Sequence, residues 1–172
     1  MAARRKAARL TPALARQIRL LVLDVDGVLT DGALYYSASG EQLKVFHVHD
    51  GHGVKQVQAD GIQVAVISGR KSAAVARRCR DLGIRHVFQG IDNKSGALDI
   101  LLKRLKLGAE QMACIGDDTP DIPLFARAAF AVAVVDGHPL ARAAAHRLTT
   151  LPGGRGAVRE VCDWLLEARS RE

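Results

Sequence analysis

The stretch LLVLDVDGVLTDG (residues 20–32) contains the pattern from which the fold can be predicted. It begins with a run of branched apolar residues, which is typical of a strand buried on both faces of a sheet. Two aspartates, Asp24 and Asp26, end this run, and Asp31 follows shortly afterwards. Carboxylates crowded at the end of a buried strand repel one another, so the stretch predicts a bound partner of positive charge.

Further apolar runs and helical patterns alternate along the rest of the chain. Besides the strand over residues 20–25, strands are predicted over residues 62–67, 85–88, 112–115 and 130–135. Helices are predicted over residues 72–82 and 95–107, where apolar residues recur at helical spacing. This alternation predicts an α/β fold with a doubly wound, mostly parallel sheet.

One segment, LYYSASGEQLKVFHV (residues 34–48), does not fit the alternation. Its two extended pieces flank a glycine turn, which predicts a β-hairpin inserted after the first strand. Tyr35, Tyr36 and Phe46 would give this hairpin an apolar face. Such a face could act as a lid, contact another subunit or pack on its own domain, and the sequence leaves these alternatives open.

The net charge of +7 is concentrated in residues 1–19, which contain six Lys or Arg residues and no acid. We therefore expect a flexible basic tail over residues 1–19 and a single, nearly neutral domain over residues 20–172. Nucleic acid is not an expected partner. The apolar run at residues 128–135 is too short to span a bilayer, and no signal-peptide pattern follows the basic residues. Three widely spaced cysteines fit a reducing cytoplasm, so we expect a cytoplasmic protein without membrane contact.

A second acidic group, in the stretch CIGDDTPD, also follows a predicted strand. Parallel strands bring ligands to their carboxyl ends, so Asp117 and Asp118 are expected to meet Asp24 and Asp26, with Asp121 close by. Carboxylate and carbonyl oxygens are the ligands that Mg²⁺ prefers. The sequence therefore predicts a magnesium site at this edge of the sheet.

Two other strand ends suit a phosphate group. Ser68, Gly69 and Arg70 combine a hydroxyl, an accessible backbone N–H and a cation just before a predicted helix. Lys94 lies at the start of another predicted helix, where the helix dipole disfavours a cation. A lysine at that place indicates an anion as its partner.

The ordered motifs DxDGVxTDG, SGR, a helix-starting lysine and GDDxxD resemble those of the haloacid dehalogenase superfamily of phosphatases, over residues 20–166. The resemblance implies a Rossmann-like fold in which Asp24 is the nucleophile that accepts the phosphoryl group. Asp26 would protonate the leaving group and then activate water. Ser68 and Lys94, with the substrate-binding Gly69, would hold the phosphoryl oxygens.

The same resemblance implies the ligands of the metal ion. Asp24, the backbone carbonyl of Asp26 and Asp117 would hold Mg²⁺. Asp118 and Asp121 would lie in the outer shell, where they hold metal-bound waters or orient the lysine. The spacing adds one expectation, since 42 residues separate Asp26 from Ser68 and only 26 separate Ser68 from Lys94. Neither gap has room for a cap domain, so none is expected.

More narrowly, the stretches FHVHDGHGVK, SGRKSAAVARRC, VAVVDGHPL and GGRGAVREVCDWLL resemble the family of 3-deoxy-D-manno-octulosonate 8-phosphate (KDO 8-phosphate) phosphatases of lipopolysaccharide biosynthesis. This implies a small acidic sugar phosphate as substrate and a homotetramer built through the 34–48 hairpin. The substrate-binding positions would be His49, Asp50, Gly51, Lys55, Gly69, Arg70, Arg78, Lys94 and Arg155. The chain departs from the family at His49, where VHDG replaces the usual VRDG and a permanent cation becomes a titratable imidazole.

Two alternatives remain open at this point. Relatives that act on other acid-sugar phosphates, such as a sialic-acid-like 9-phosphate, share most of these motifs. A phospho-receiver signalling domain also combines an acidic cluster, Mg²⁺, a hydroxyl and a lysine on a doubly wound sheet. A receiver releases phosphate stoichiometrically at most, whereas a phosphatase turns over many times.

Overall fold

The computed structural model describes residues 9–171 and contains eight strands in this part of the chain. They are β1 Leu20–Leu23, β2 Tyr35–Ser37, β3 Gly40–Leu43, β4 Gln63–Ser68, β5 His86–Gln89, β6 Met112–Gly116, β7 Phe130–Ala133 and β8 Arg147–Leu148. Six of them form one sheet in the order β5-β4-β1-β6-β7-β8, and every neighbouring pair in it is parallel. The central position of β1 and β6 places the ends of both acidic stretches side by side.

The described part of the chain also contains seven α-helices. They are α1 Pro12–Gln17, α2 Val48–Ala59, α3 Ala73–Asp81, α4 Lys94–Leu105, α5 Ile122–Phe125, α6 Pro139–Ala144 and α7 Ala157–Ser170. Two short 3₁₀ helices, Ala109–Gln111 and Thr119–Asp121, lie on either side of β6. Within residues 9–171, no helix combines the length and apolar character needed to cross a bilayer.

The sheet separates two apolar cores because side chains alternate along each strand. In β1, Leu21 and Leu23 point into the core that contains α2, α3 and α7. Leu20 and Val22 point into the opposite core, which contains α4, α5 and α6. The predicted doubly wound α/β fold is therefore confirmed, and each predicted strand and helix begins and ends within two residues of its observed bounds.

The predicted hairpin is also confirmed, as β2 pairs antiparallel with β3 and Ser37 faces Gly40 across the turn. Its tyrosines are not buried against their own domain, since Tyr35 is 46% and Tyr36 is 61% exposed. Around them lies a set of exposed apolar side chains, which we call the hairpin patch: Leu34, Tyr35, Tyr36, Leu43, Val45 and Val48.

The expectation of a flexible tail is wrong for residues 9–19, because α1 packs against α7. Ala15 and Ile18 are fully buried. The Arg169 guanidinium of α7 donates hydrogen bonds to the carbonyls of Ala15 (3.0 Å) and Ile18 (3.1 Å). Residues 1–8, which carry half of the basic residues of the expected tail, lie outside the described part of the chain.

Candidate active site

The carboxyl ends of β1 and β6 bring two aspartates together. Asp24 follows β1 and Asp117 follows β6, its hydrogen-bonded neighbour in the sheet. The backbone N–H of Asp24 donates to the Ile115 carbonyl (3.1 Å), so the ladder continues to Asp24 itself. Asp121 joins them from the 3₁₀ helix Thr119–Asp121. One carboxylate oxygen from each of the three aspartates lies within 4.8 Å of those of the other two.

This proximity changes the acidity of the carboxyl groups. Burial, followed by the charge of Asp121, raises the pKa of Asp24 to about 6, although Lys94 acts against the rise. Burial also raises the pKa of Asp117 to about 8, with further contributions from Asp24 and Asp121. At neutral pH Asp117 thus retains a proton that an isolated aspartate would have lost.

The donor set fits a hard divalent cation. Carboxylate oxygens converge from three directions, and such a cation would favour the ionised form of each group. Gly27 (φ +85°) makes room for the Asp117 carboxylate, since a Cβ there would be 2.2 Å from the Asp117 Oδ2. Asp24 and Asp117 are the residues placed to hold a metal ion, with Asp121 beside them.

Lys94 neutralises part of this negative charge. It is the first residue of α4, whose N-terminus is capped by the Asn93 side chain, and the residue is only 5% exposed. Its Nζ lies 2.9 Å from the Asp24 Oδ1 and 2.7 Å from the Asp121 Oδ1. Burial acts to lower the pKa of Lys94, but Asp24 and Asp121 outweigh it and the net shift is upward. The lysine is therefore a fixed cation between two carboxylates.

Asp121 orients its neighbours. Its Oδ1 binds Lys94, while its Oδ2 accepts hydrogen bonds from the backbone N–H groups of Asp117 (3.0 Å) and Asp118 (3.3 Å). A Cβ on Gly116 would lie 2.5 Å from the Asp121 side chain, so glycine is required for this contact. Asp118 is exposed and its carboxylate accepts a hydrogen bond from the Thr119 N–H.

A cavity of about 440 Å³ opens over these groups. Ser68, the last residue of β4, is 3% exposed, and Gly69 and Arg70 follow it at the cavity wall. The structure thus brings together the predicted catalytic, metal-binding and outer-shell residues. The lining residues are Asp24, Asp26, Gly32, Ser68, Gly69, Arg70, Ile91, Asp92, Lys94, Asp117, Asp118, Pro120 and Asp121.

Comparison with known proteins gives the family. Residues 86–158 match the haloacid dehalogenase-like hydrolases. The chain is 48% identical over 157 residues to the 3-deoxy-D-manno-octulosonate 8-phosphate phosphatase of Escherichia coli strain K12, an alignment that covers 91% of this chain and 84% of the relative. The chain belongs to the haloacid dehalogenase-like hydrolase family. The resemblance found in the sequence motifs is confirmed.

Solved structures of relatives share the fold of this hydrolase. The 3-deoxy-D-manno-octulosonate 8-phosphate phosphatase of Yersinia pestis superposes with a TM-score of 0.90 at 46% identity, over 94% of this chain and 88% of the other. The corresponding enzyme of Moraxella catarrhalis, solved with a magnesium ion, a phosphate ion and a KDO molecule, gives 0.88 at 43% identity, over 92% and 91%. The likeness confirms the predicted Rossmann-like fold of this family.

Some predicted substrate residues of the hydrolase lie outside the cavity. Among the described residues, those predicted to bind substrate that do not line it are His49, Asp50, Gly51, Lys55, Arg78 and Arg155. His49 and Lys55 are exposed on α2. Arg155 is also exposed, and its guanidinium donates to the Asp31 Oδ2 at 3.3 Å. Within one chain, these side chains are therefore not part of the cavity wall.

Arg78 and Gly51 contact each other. The Arg78 guanidinium donates a long hydrogen bond (3.5 Å) to the His47 carbonyl and lies over the Phe46 ring, 5.8 Å from its centre. A Cβ on Gly51 would be 2.3 Å from the Arg78 Nη2, so this glycine makes room for the guanidinium. The pair stabilises the junction between the hairpin and α2.

The prediction that Asp50 contacts sugar groups differs from its position in the structure. Asp50 is 1% exposed, and its Oδ1 accepts a hydrogen bond (2.8 Å) from the backbone N–H of Arg159, in the first turn of α7. Gly156 occupies the N-cap of α7 and has no side chain to satisfy the exposed N–H groups. Asp50 supplies that capping carboxylate from α2, although burial raises its pKa. It is a structural cap for the last helix.

Replacing Asp50 by alanine is therefore expected to lower the free energy of unfolding by about 1–2 kcal/mol, the usual effect of a lost N-cap. The KM for substrate is expected to stay within twofold of the original. Urea unfolding and steady-state kinetics measure the two quantities. The matched control is Asp81→Ala, which removes an exposed carboxylate that pairs with Arg77. A raised KM at unchanged stability would instead place Asp50 against the substrate.

The glycine-rich loop before α7 packs against the loop that follows β1, a contact that the sequence did not indicate. A Cβ on Gly153 would lie 1.7 Å from the Gly27 carbonyl oxygen. The N–H of Gly154 donates to the Val28 carbonyl at 2.9 Å. These glycines allow close backbone approach and so support the loop that carries Asp26.

Sequence reasoning also missed two hairpin residues near the site. The Lys44 Nζ donates to the Asp26 Oδ1 at 2.5 Å, and the Tyr36 hydroxyl accepts a hydrogen bond from the Arg70 guanidinium at 2.6 Å. No local sequence pattern predicts either contact. Lys44 in particular lies between two apolar residues, and these would be expected to face inward in place of the lysine.

Proposed function

We propose that this hydrolase removes the phosphate from 3-deoxy-D-manno-octulosonate 8-phosphate, a step of lipopolysaccharide biosynthesis, through a phosphoryl group carried on Asp24. The observation that carries the proposal is the Asp24 carboxylate, held by the Lys94 Nζ at 2.9 Å beside Asp117 at the base of the cavity. The substrate is proposed because relatives at 43–48% identity carry that name or were solved with KDO.

In the first half-reaction, a carboxylate oxygen of Asp24 attacks the phosphorus. The bond between phosphorus and the sugar oxygen breaks, and Asp26 donates a proton to that oxygen as it leaves. Ser68, the N–H of Gly69 and Lys94 hold the three other phosphoryl oxygens. Their role is positioning and charge neutralisation, which dominate phosphoryl transfer.

In the second half-reaction, Asp26 takes a proton from a water molecule, whose oxygen attacks the phosphorus. The bond between Asp24 and phosphorus breaks, giving inorganic phosphate and the free carboxylate. Lys94 keeps its contact with Asp24 and Asp121 throughout, so the leaving carboxylate is stabilised as its charge returns.

The metal ion of this proposal is Mg²⁺, held by Asp24, the backbone carbonyl of Asp26 and Asp117. When bound, it supplies positive charge that draws the phosphate into the acidic cavity. Support comes from the converging carboxylates and from the relative solved with a magnesium ion. Asp118 is available to hold a metal-bound water from the outer shell.

The proposed assembly is a cytoplasmic homotetramer formed through the 34–48 hairpin. The hairpin patch supports it, because exposed apolar side chains clustered on a projecting hairpin are typical of a subunit contact. A neighbouring subunit there would bring further cations, such as the half-buried Arg78 or the exposed Arg155, closer to the open cavity. These cations would suit the carboxylate of an acidic sugar.

Phosphate release from a panel of phosphate esters tests the proposed function. With Mg²⁺, we expect many turnovers per chain on KDO 8-phosphate and a kcat/KM at least roughly 100-fold higher than on glucose 6-phosphate, since a carboxylate-binding site strongly disfavours a substrate that lacks it. A sialic-acid 9-phosphate is the third substrate, and preference for it would reassign the sugar. Release of no more than one phosphate per chain would favour the receiver alternative, which the comparisons do not support.

A further inference from the structure

We propose that Lys44 is a positioning residue for the reaction, which fixes the orientation of the Asp26 carboxylate from the hairpin of the same subunit. The inference rests on the proposed role of Asp26 in proton transfer. It adds a hairpin residue to a site otherwise built from strand ends and from the short helical segments that follow them. The juxtaposition that carries it is a nearly fully buried lysine side chain, 1% exposed, with its Nζ 2.5 Å from the Asp26 Oδ1.

The direction of the Lys44 side chain is unusual for its strand. Lys44 follows β3 directly, and its neighbours Leu43 and Val45 are 48% and 50% exposed. Alternation along an extended chain therefore turns the lysine inward and the apolar residues outward. Burying an ammonium group is unfavourable unless a carboxylate and hydrogen bonds compensate for it. The inward lysine is explained by the carboxylate that it meets.

The other oxygen of the Asp26 carboxylate faces a second cation. The Arg70 Nε lies 3.7 Å from the Asp26 Oδ2, and Arg70 lines the cavity. The same guanidinium donates a hydrogen bond to the Tyr36 hydroxyl of β2 and lies 6.0 Å from the centre of that ring. Of the two cations beside Asp26, Lys44 thus belongs to the hairpin and Arg70 contacts it.

These contacts define which oxygen of Asp26 is available to a substrate. Rotation of the carboxylate about its Cβ–Cγ bond would break the short contact between Lys44 and Oδ1. With Oδ1 held, Oδ2 stays on the side of Arg70 and the cavity. Lys44 is not itself among the residues that line the cavity, so its effect on the reaction passes through Asp26.

The test is a Lys44→Met variant, which keeps the length of the side chain and removes its charge. We expect the single-turnover rate on KDO 8-phosphate to fall roughly 10–100-fold, because misplacing a catalytic group by about 1 Å has effects of this size. The KM should remain within threefold. On p-nitrophenyl phosphate, the burst of p-nitrophenolate should keep a rate within threefold of wild type, since this anion leaves without a proton.

Three controls isolate the effect. Lys103→Met removes an exposed lysine from α4 and should match wild type on both substrates. In an Asp26→Asn background, Lys44→Met should cause no further loss of rate, because the carboxylate through which Lys44 acts is absent. Lys44→Arg should recover part of the rate.

Other outcomes would overturn the inference. Equal loss on both substrates, or a further loss in the Asp26→Asn background, would mean that Lys44 acts elsewhere. A thermal-unfolding cycle tests the contact without any measurement of activity. It uses wild type, Lys44→Met, Asp26→Asn and the double variant. Lys44→Met must lower the melting temperature more in wild type than in Asp26→Asn, and equal falls would refute the contact. If wild type hydrolyses no phosphate ester while the unfolding cycle shows coupling, the proposed function fails and the Lys44–Asp26 contact stands.

Discussion

Asp24→Asn is expected to reduce kcat by roughly 10⁴-fold or more, the size of effect seen when an enzyme loses its nucleophile. The amide cannot attack phosphorus, whereas the fold should persist because Lys94 keeps its 2.7 Å contact with Asp121. Steady-state phosphate release measures the loss. Rapid acid quench with ³²P-labelled substrate should show label on the wild-type chain and none on the variant.

The control for this experiment is Asp99→Asn, which neutralises an exposed carboxylate on α4 that pairs with Arg127. It should retain wild-type kcat and labelling. Asp24→Asn with more than a few per cent of wild-type turnover, together with normal labelling, would contradict the assignment of the nucleophile. Labelling at a different aspartate would reassign the role within the same cluster.

Removal of divalent cations is expected to abolish turnover and to destabilise the fold in a pH-dependent way. Asp24 and Asp117 have folded-state pKa values of about 6 and about 8, against 3.8 for ordinary aspartate. The folded state then holds protons more tightly than the unfolded chain, so metal-free stability contributed by these groups falls as pH rises from about 4 to 8. A cation binds the ionised carboxylates, and its stabilising effect is therefore larger at pH 8 than at pH 5.

Thermal unfolding with EDTA or with excess Mg²⁺ at the two pH values measures this effect. At pH 8 and about 100 times the Kd, Mg²⁺ should add about 2.7 kcal/mol, which corresponds to a rise of roughly 5–10 °C in melting temperature for a chain of this size. At pH 5 the rise should be much smaller, since protons compete with the cation. Turnover should return when Mg²⁺ replaces EDTA.

Asp117→Asn provides the internal comparison. Without metal at pH 8 it should melt at a higher temperature than wild type, because one of three crowded carboxylates is gone. It should also lose most of the response to Mg²⁺. A Mg²⁺ response that is equal at both pH values, or unchanged in Asp117→Asn, would be incompatible with the proposed metal site.

Most of the site was predictable because its residues occupy ends of regular elements. Asp24 and Asp117 end apolar strands, and parallel strands collect such ends at one edge of a sheet. Lys94 was predicted to bind an anion because a cation is disfavoured at a helix start, and the structure places it between two carboxylates. Each of these inferences needed only the local pattern and the rule that the strands are parallel.

Residues whose partners are distant in sequence were not predictable in the same way. Asp50 and the backbone that it caps are 109 residues apart, so no periodicity or motif connects them. The resemblance placed Asp50 near the substrate, whereas α2 and α7 pack so that it meets the N-terminus of α7. The inward position of Lys44 likewise contradicts what its apolar neighbours indicate.

By itself, the sequence determined the doubly wound sheet, the inserted hairpin, the acidic cluster at the strand ends and the residues beside it that suit a phosphate group. It could do so because strand and helix periodicities are local and the ends of parallel strands converge in any such sheet. Only the tertiary structure decided that α1 lies on α7, that Asp50 is a helix cap and that Lys44 faces Asp26. These choices depend on how separate elements pack and on which buried charge finds a partner, and that is a property of the assembled chain.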